Sequence, residues 1–112
     1  REAMKTDGHD TAGFDQFLYV FPDAPCGWSG LAMLGYPQDP AQDSWYNGSF
    51  NCVVRNQEVA HNYGLMHTHF YYGCSGGAPF GSSCSFEEYG SPYDPMGYGC
   101  GHMAVPDKEW MG

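Results

Sequence analysis

Gln57-Glu58-Val59-Ala60-His61-Asn62-Tyr63-Gly64-Leu65-Met66-His67 is the stretch on which the reading of this chain turns. Gln57 and His61 are four residues apart, so a helix puts them on one face. Two ligands at that spacing can grip one metal ion, and Glu58, beside the first, can reach a water held there. Gly64 lets the chain leave the helix sharply, and the turn can return His67 to the same ion. Three protein ligands with one position left open is what a catalytic zinc site needs. The ion acidifies its water and polarises a carbonyl, while Glu58 takes the proton and passes it to a leaving amine.

The helix that carries this stretch is expected from about Asn51 to Tyr63, with Ser49 or Asn51 as its N-cap. Val53, Val54, Val59 and Ala60 supply its apolar side. Upstream, Phe17–Phe21 is a short apolar run between Asp15 and Pro22 and reads as a buried strand. Cys26–Gly30 reads as a turn carrying Trp28, and Leu31–Leu34 as a second strand ended by Gly35 and Pro37. Residues 36–43 form a loop, and Ser44–Tyr46 a short third strand. Residues 1–13 are polar, lack periodicity and read as a loop or ragged end. Downstream, residues 70–93 are rich in Gly, Ser, Tyr and Cys and read as one long loop, functional or clamped. Cys74 and Cys84 are spaced to clamp it, although spacing alone does not fix connectivity. Residues 91–97 are a dense turn signal, and no internal repeat is visible. The pattern is α+β, with short strands, one helix and long loops.

Composition narrows the function classes. The 112 residues suffice for one domain or part of one. Four basic residues against 13 acidic ones give a net charge of -9, which argues against nucleic-acid and anionic-membrane binding. Aromatic residues make up 17% of the chain, which argues against disorder. No run approaches the roughly 18 apolar residues of a membrane-spanning helix. No signal peptide is visible in a chain that opens on Arg1, and the expectation is a fragment of a longer protein. The cysteines at 26, 52, 74, 84 and 100 include no C-x-x-C pair and suit an oxidising, secreted setting, with one left over. Asn47-Gly48-Ser49 is a glycosylation sequon that suits the same compartment.

The spacing at 57–67 resembles the metzincin metalloprotease consensus H-E-x-x-H-x-x-G-x-x-H, with Glu58, His61, Gly64 and His67 matching. Tyr93-Asp94-Pro95-Met96-Gly97 follows in the right order and looks like the Met-turn of that clan. Within it, the chain resembles the gametolysin family, secreted metallopeptidases known from the lysis of green-algal cell walls, whose members can carry Gln where Gln57 stands. Phe17–Phe21 and Cys26–Ala32 are similar to that family's strand, Cys-turn and second strand, and the likeness spans about residues 14–112. It implies a metzincin-like zincin fragment: a mixed twisted sheet over one active-site helix, disulfide-stapled loops and a Met-turn. Gly30–Leu34 would be the edge strand that pairs with substrate, and Met96 would pack beneath the metal. The chain is shorter than the whole family domain, and the helix that closes that domain would be missing.

Gln57 is the departure from the wider consensus, because an amide oxygen is a poorer zinc ligand than imidazole. Three readings stay open. Gln57 ligates through that oxygen with His61 and His67; or His69 completes the site in its place; or the site is inactive and the chain is a pseudo-peptidase binding extracellular peptides or matrix. The expected ion is Zn2+, with copper open because imidazole suits both. Tyr98, two after Met96, stands where some metzincins place a tyrosine that contacts the metal or the oxyanion, but in a chain with nine tyrosines coincidence is the simpler reading. His9 and His102 read as exposed and inert, and Trp28 and Trp45 as packing residues. The leading expectation is a secreted zinc endopeptidase with Glu58 as general base, acting on a protein or glycoprotein substrate. A disulfide-stapled structural domain with a fortuitous motif is the bland alternative.

Overall fold

The computed structural model describes residues 1–77, 81 and 83–112. Its main body is a three-stranded mixed sheet over a helix. The strands are β1 (Phe17–Phe21), β2 (Gly30–Ala32) and β3 (Asp43–Asn47), in the order β1-β3-β2. β1 runs parallel to β3, with Phe17 opposite Asp43 and Phe21 opposite Asn47. β2 runs antiparallel to β3, with Leu31 opposite Trp45, and forms one edge of the sheet. Alternation along β3 sorts its side chains. Ser44 and Tyr46 are fully buried, and the Tyr46 hydroxyl donates to the Arg55 carbonyl of the helix at 3.3 Å. Trp45 points the other way and stacks on Tyr19, with ring centroids 5.6 Å apart.

Helix α2 (Cys52–Asn62) is capped by Asn51, whose side chain accepts from Val54 N at 3.0 Å; Ser49 instead takes the Asn51 amide. Its buried residues are Gln57, Glu58, Ala60 and Asn62, three of them polar. Asn62 donates to the Met33 and Asp43 carbonyls and so ties the helix end to the sheet. Gly64, at φ +88°, then turns the chain where a Cβ would come within 2.6 Å of the Gly35 carbonyl oxygen. Ala60, Leu65 and Met96 form the apolar core, with Met103 and Met111 packed against it. Cys52–Cys100 joins the start of α2 to the segment after Met96, and Cys74–Cys84 closes the downstream loop. The leftover cysteine is Cys26, which is exposed and free.

Several expectations are corrected. Residues 1–13 contain a helix, α1 (Glu2–Thr6), stabilised by a Lys5–Glu2 ion pair, and Arg1 forks onto Asp43 and lies over the Phe17 ring. β2 starts at Gly30 and stops at Ala32, because Gly35 N turns aside to donate to the His61 carbonyl at the end of α2. The long loop at 70–93 holds an antiparallel ladder, β4 (Phe70–Tyr72) with β5 (Ser85–Glu87), and a short 3-10 turn at Ser75–Gly77. Both strands are exposed throughout, so no buried face imprinted an alternation on the sequence. Residues 78–80 and 82 of that stretch lie outside the described residues. A third helix, α3 (Val105–Met111), follows the turn at Met96, opens on a proline in its first turn and donates from Trp110 Nε1 to the Tyr63 carbonyl. The expectation of one helix therefore fails.

The sequon reading also fails. Asn47 is 5% exposed, and its amide nitrogen donates to the Ala24 and Trp28 carbonyls, leaving nothing for a glycosyl donor to reach. Treating the folded, unreduced protein with a thiol reagent should label Cys26 alone, with peptide mapping recovering the 52–100 and 74–84 pairs; label on any of those four would contradict the pairing.

Candidate active site

Helix α2 presents Gln57, Glu58 and His61 beneath β2, and the Gly64 turn, anchored by buried Leu65, returns His67 to them. The two imidazoles meet with His61 Nε2 3.1 Å from His67 Nε2. Their other nitrogens assign the protons. His61 Nδ1 lies 2.7 Å from the Leu65 carbonyl, and a carbonyl only accepts, so Nδ1 carries the hydrogen. His67 Nδ1 lies 2.7 Å from Glu88 Oε1 and donates in the same way. In the neutral rings both Nε2 atoms therefore hold lone pairs, aimed at each other. Burial holds His61 below the ordinary histidine range, opposed by the bond to Leu65 and aided by His67, which favours its neutral form.

That arrangement fits a cation. Two nitrogens bound to tetrahedral zinc at 2.0–2.1 Å stand about 3.3 Å apart. Imidazole ligands characteristically donate their other N–H to a carbonyl or carboxylate, as both do here. Gln57, 8% exposed, lines the same cavity and donates its amide nitrogen to the Met96 carbonyl at 3.4 Å, which leaves Oε1 as its acceptor. Among the described residues, no three His, Cys, Asp or Glu side chains come together to hold an ion, so the candidate donor set is two imidazoles and an amide oxygen.

Glu58 is 6% exposed, and burial pushes its carboxyl up to about 7. Gly30 of β2 makes its place possible: a Cβ there would overlap Oε1 and stand 2.6 Å from Cδ of Glu58. Sequence reading missed this requirement. The cavity, of about 480 Å³, is walled on the other side by Trp28, Leu31, Leu34 and Met66. Trp28 thus has a place in the site besides its edge contact with Phe21, whereas Trp45 only packs.

The turn after Tyr93 is knotted by Asp94, 2% exposed. Its Oδ1 accepts from Met96 N, Gly97 N and Thr68 Oγ1, at 2.9, 3.2 and 2.9 Å, and Oδ2 accepts from Ser91 Oγ at 2.8 Å. Thr68 N also donates to the Met96 carbonyl, so the residue after His67 is pinned to the turn twice. Met96 is fully buried against Ala60 and Leu65.

His69 and Tyr98 are not brought into this cluster. His69 is exposed and packs edge-on against Phe86, and Tyr98 is 61% exposed; neither lines the cavity. His9 and His102 are exposed as expected. The tyrosine in the cavity is Tyr89, whose ring centroid is 4.0 Å from that of His67. Neither Tyr89 nor Glu88 carried a signal in the sequence, since both follow the exposed strand β5.

Residues 8–112 match the gametolysin peptidase M11 family, and the chain belongs to that family. No curated protein and no solved structure matches it. The match extends a few residues further upstream than the resemblance read from sequence and covers Gln57 with the rest of the motif.

Asp94→Ala strands several buried donors at once and should lower stability by about 3 kcal/mol in urea denaturation. A loss under about 0.5 kcal/mol would contradict the role given to this carboxylate.

Proposed function

We propose that this chain is the catalytic segment of a secreted zinc endopeptidase of the metzincin type, which hydrolyses peptide bonds of extracellular matrix or cell-wall proteins. The observation that carries the reading is the pair of facing imidazole Nε2 atoms in one cavity with the buried Glu58 carboxyl. His61, His67 and the Gln57 amide oxygen would hold the ion, which supplies Lewis acidity at the scissile carbonyl and acidifies water. The rest falls to the chain. Glu58 accepts a proton from the attacking water as its oxygen bonds to the carbonyl carbon. The same carboxyl then delivers that proton to the amide nitrogen as the C–N bond breaks. A carboxyl held at the cavity can accept and return a proton in turn. β2, an edge strand on the rim of the cavity, offers its backbone to an extended peptide, with Leu31, Leu34 and Trp28 as apolar walls. Two disulfides support an oxidising compartment, and no helix among the described residues is long and apolar enough to cross a membrane.

Glu58→Gln should reduce hydrolysis of a generic protein substrate at least about 100-fold with zinc retained. Activity within a few-fold of the parent would sink the general-base assignment.

A second reading, a pseudo-peptidase that binds peptides without cleaving them, draws on the Gln57 amide being turned to Met96 and on the absence of a third imidazole or carboxylate ligand among the described residues. Gln57→His separates the two. Little change in zinc affinity or turnover supports Gln57 as a working ligand; a large gain in affinity with activity appearing only then favours the pseudo-peptidase.

A further inference from the structure

His67 is held from outside the metal motif by two consecutive residues. Glu88 Oε1 takes the Nδ1 hydrogen at 2.7 Å, and the Tyr89 ring lies against the imidazole at 4.0 Å between centroids, tilted by 39°. Consecutive side chains on extended backbone point to opposite sides, so neighbours do not ordinarily serve one ring. Here Tyr89 has φ +63°, the one non-glycine residue among those described with positive φ. Such a conformation costs an aromatic residue energy and persists where its surroundings over-determine it. It turns both side chains towards His67.

The hairpin explains how the pair arrives there. In the β4–β5 register Phe70 faces Glu87, so the next step in each direction brings Glu88 level with His69, two residues from His67. Gly90 closes against Phe70, where a Cβ would stand 2.6 Å from the Phe70 Cβ. His67 and the pair thus flank the same open end of one ladder, on its two strands, and Cys74–Cys84 staples it beyond the far end.

We infer that Glu88 and Tyr89 form a clamp that fixes the tautomer and ring plane of His67, and so are positioning residues for the ion that His61 and His67 would hold. The inference rests on the proposed metal reading for its consequence, and on the hydrogen bond and ring contact for its mechanism. Glu88 commits the proton to Nδ1 and keeps the Nε2 lone pair in the cavity. Tyr89 stops rotation about the ring axis. An ordinary surface ion pair would do neither, since it leaves the tautomer mixed and the ring free to turn.

The Glu88 side chain is 55% exposed, so replacing it leaves no cavity in the core. The test has two arms on the full chain. Long-range 15N–1H NMR of the metal-free protein at mildly alkaline pH reads the His67 tautomer. The clamp predicts Nδ1–H in the parent and in Glu88→Gln, whose carbonyl still accepts, and a shift towards Nε2–H in Glu88→Ala. Competitive zinc titration should then show affinity about 10- to 100-fold weaker in Glu88→Ala and largely recovered in Glu88→Gln. An unchanged tautomer, or an unchanged zinc affinity, in Glu88→Ala overturns the clamp. A parent chain that takes up no zinc refutes the metal reading by itself, and the tautomer arm then decides the clamp alone.

Discussion

Two imidazole nitrogens stand 3.1 Å apart, each ring bonded on its far side through Nδ1, so in their neutral forms neither Nε2 has a hydrogen to give the other. In water such lone pairs would separate. Here the Leu65 carbonyl and the Glu88 carboxylate hold the rings from behind and leave the approach uncompensated unless something positive stands between them. The burial of Glu58 has the same logic: an acid with no basic partner is kept under β2, where only a glycine leaves room for it. Buried polar groups of this kind cost stability and are retained where chemistry uses them.

The fold is economical in how it holds that arrangement. Few apolar side chains are fully buried, and much of the interior is polar: Ser44, Asn47, Asn62 and Asp94 tie strands, helix and turn by hydrogen bonds. Asp94 links the Met96 turn to Thr68, and Met96 in turn packs under α2, so the floor of the site and the third motif residue move together. Cys52–Cys100 then joins the start of α2 to the segment beyond that turn. Disulfides suit a small chain with so little apolar core.

How far the sequence was legible follows from the range of each interaction. Helix α2, its cap and the Gly64 turn were legible because they depend on neighbours within one or two turns. Strand β1 was legible as an apolar run between Asp15 and Pro22, but not as a buried one: Phe17 is buried, whereas Leu18 and Val20 are exposed. Gly30 looked like a loop glycine; its role as the gap for Glu58 exists only when β2 crosses α2. The β4–β5 ladder was read as loop because its exposed strands bury no face, and Glu88 and Tyr89 were hidden with it. The Asn47 sequon misled because a three-residue pattern carries no information on burial. Among nine tyrosines, the spacing of Tyr98 from Met96 read as coincidence and Tyr98 stays exposed, whereas the left-handed turn after β5 brings Tyr89 into the cavity.

X-ray absorption at the zinc K edge, on protein loaded with one equivalent of zinc and dialysed, addresses the facing nitrogens most directly. One zinc retained per chain, with two imidazole shells and oxygen completing the coordination at about 2.0 Å, is the expected spectrum. Zinc lost on dialysis from folded protein, a single imidazole, or sulfur in the shell would contradict the centre described here.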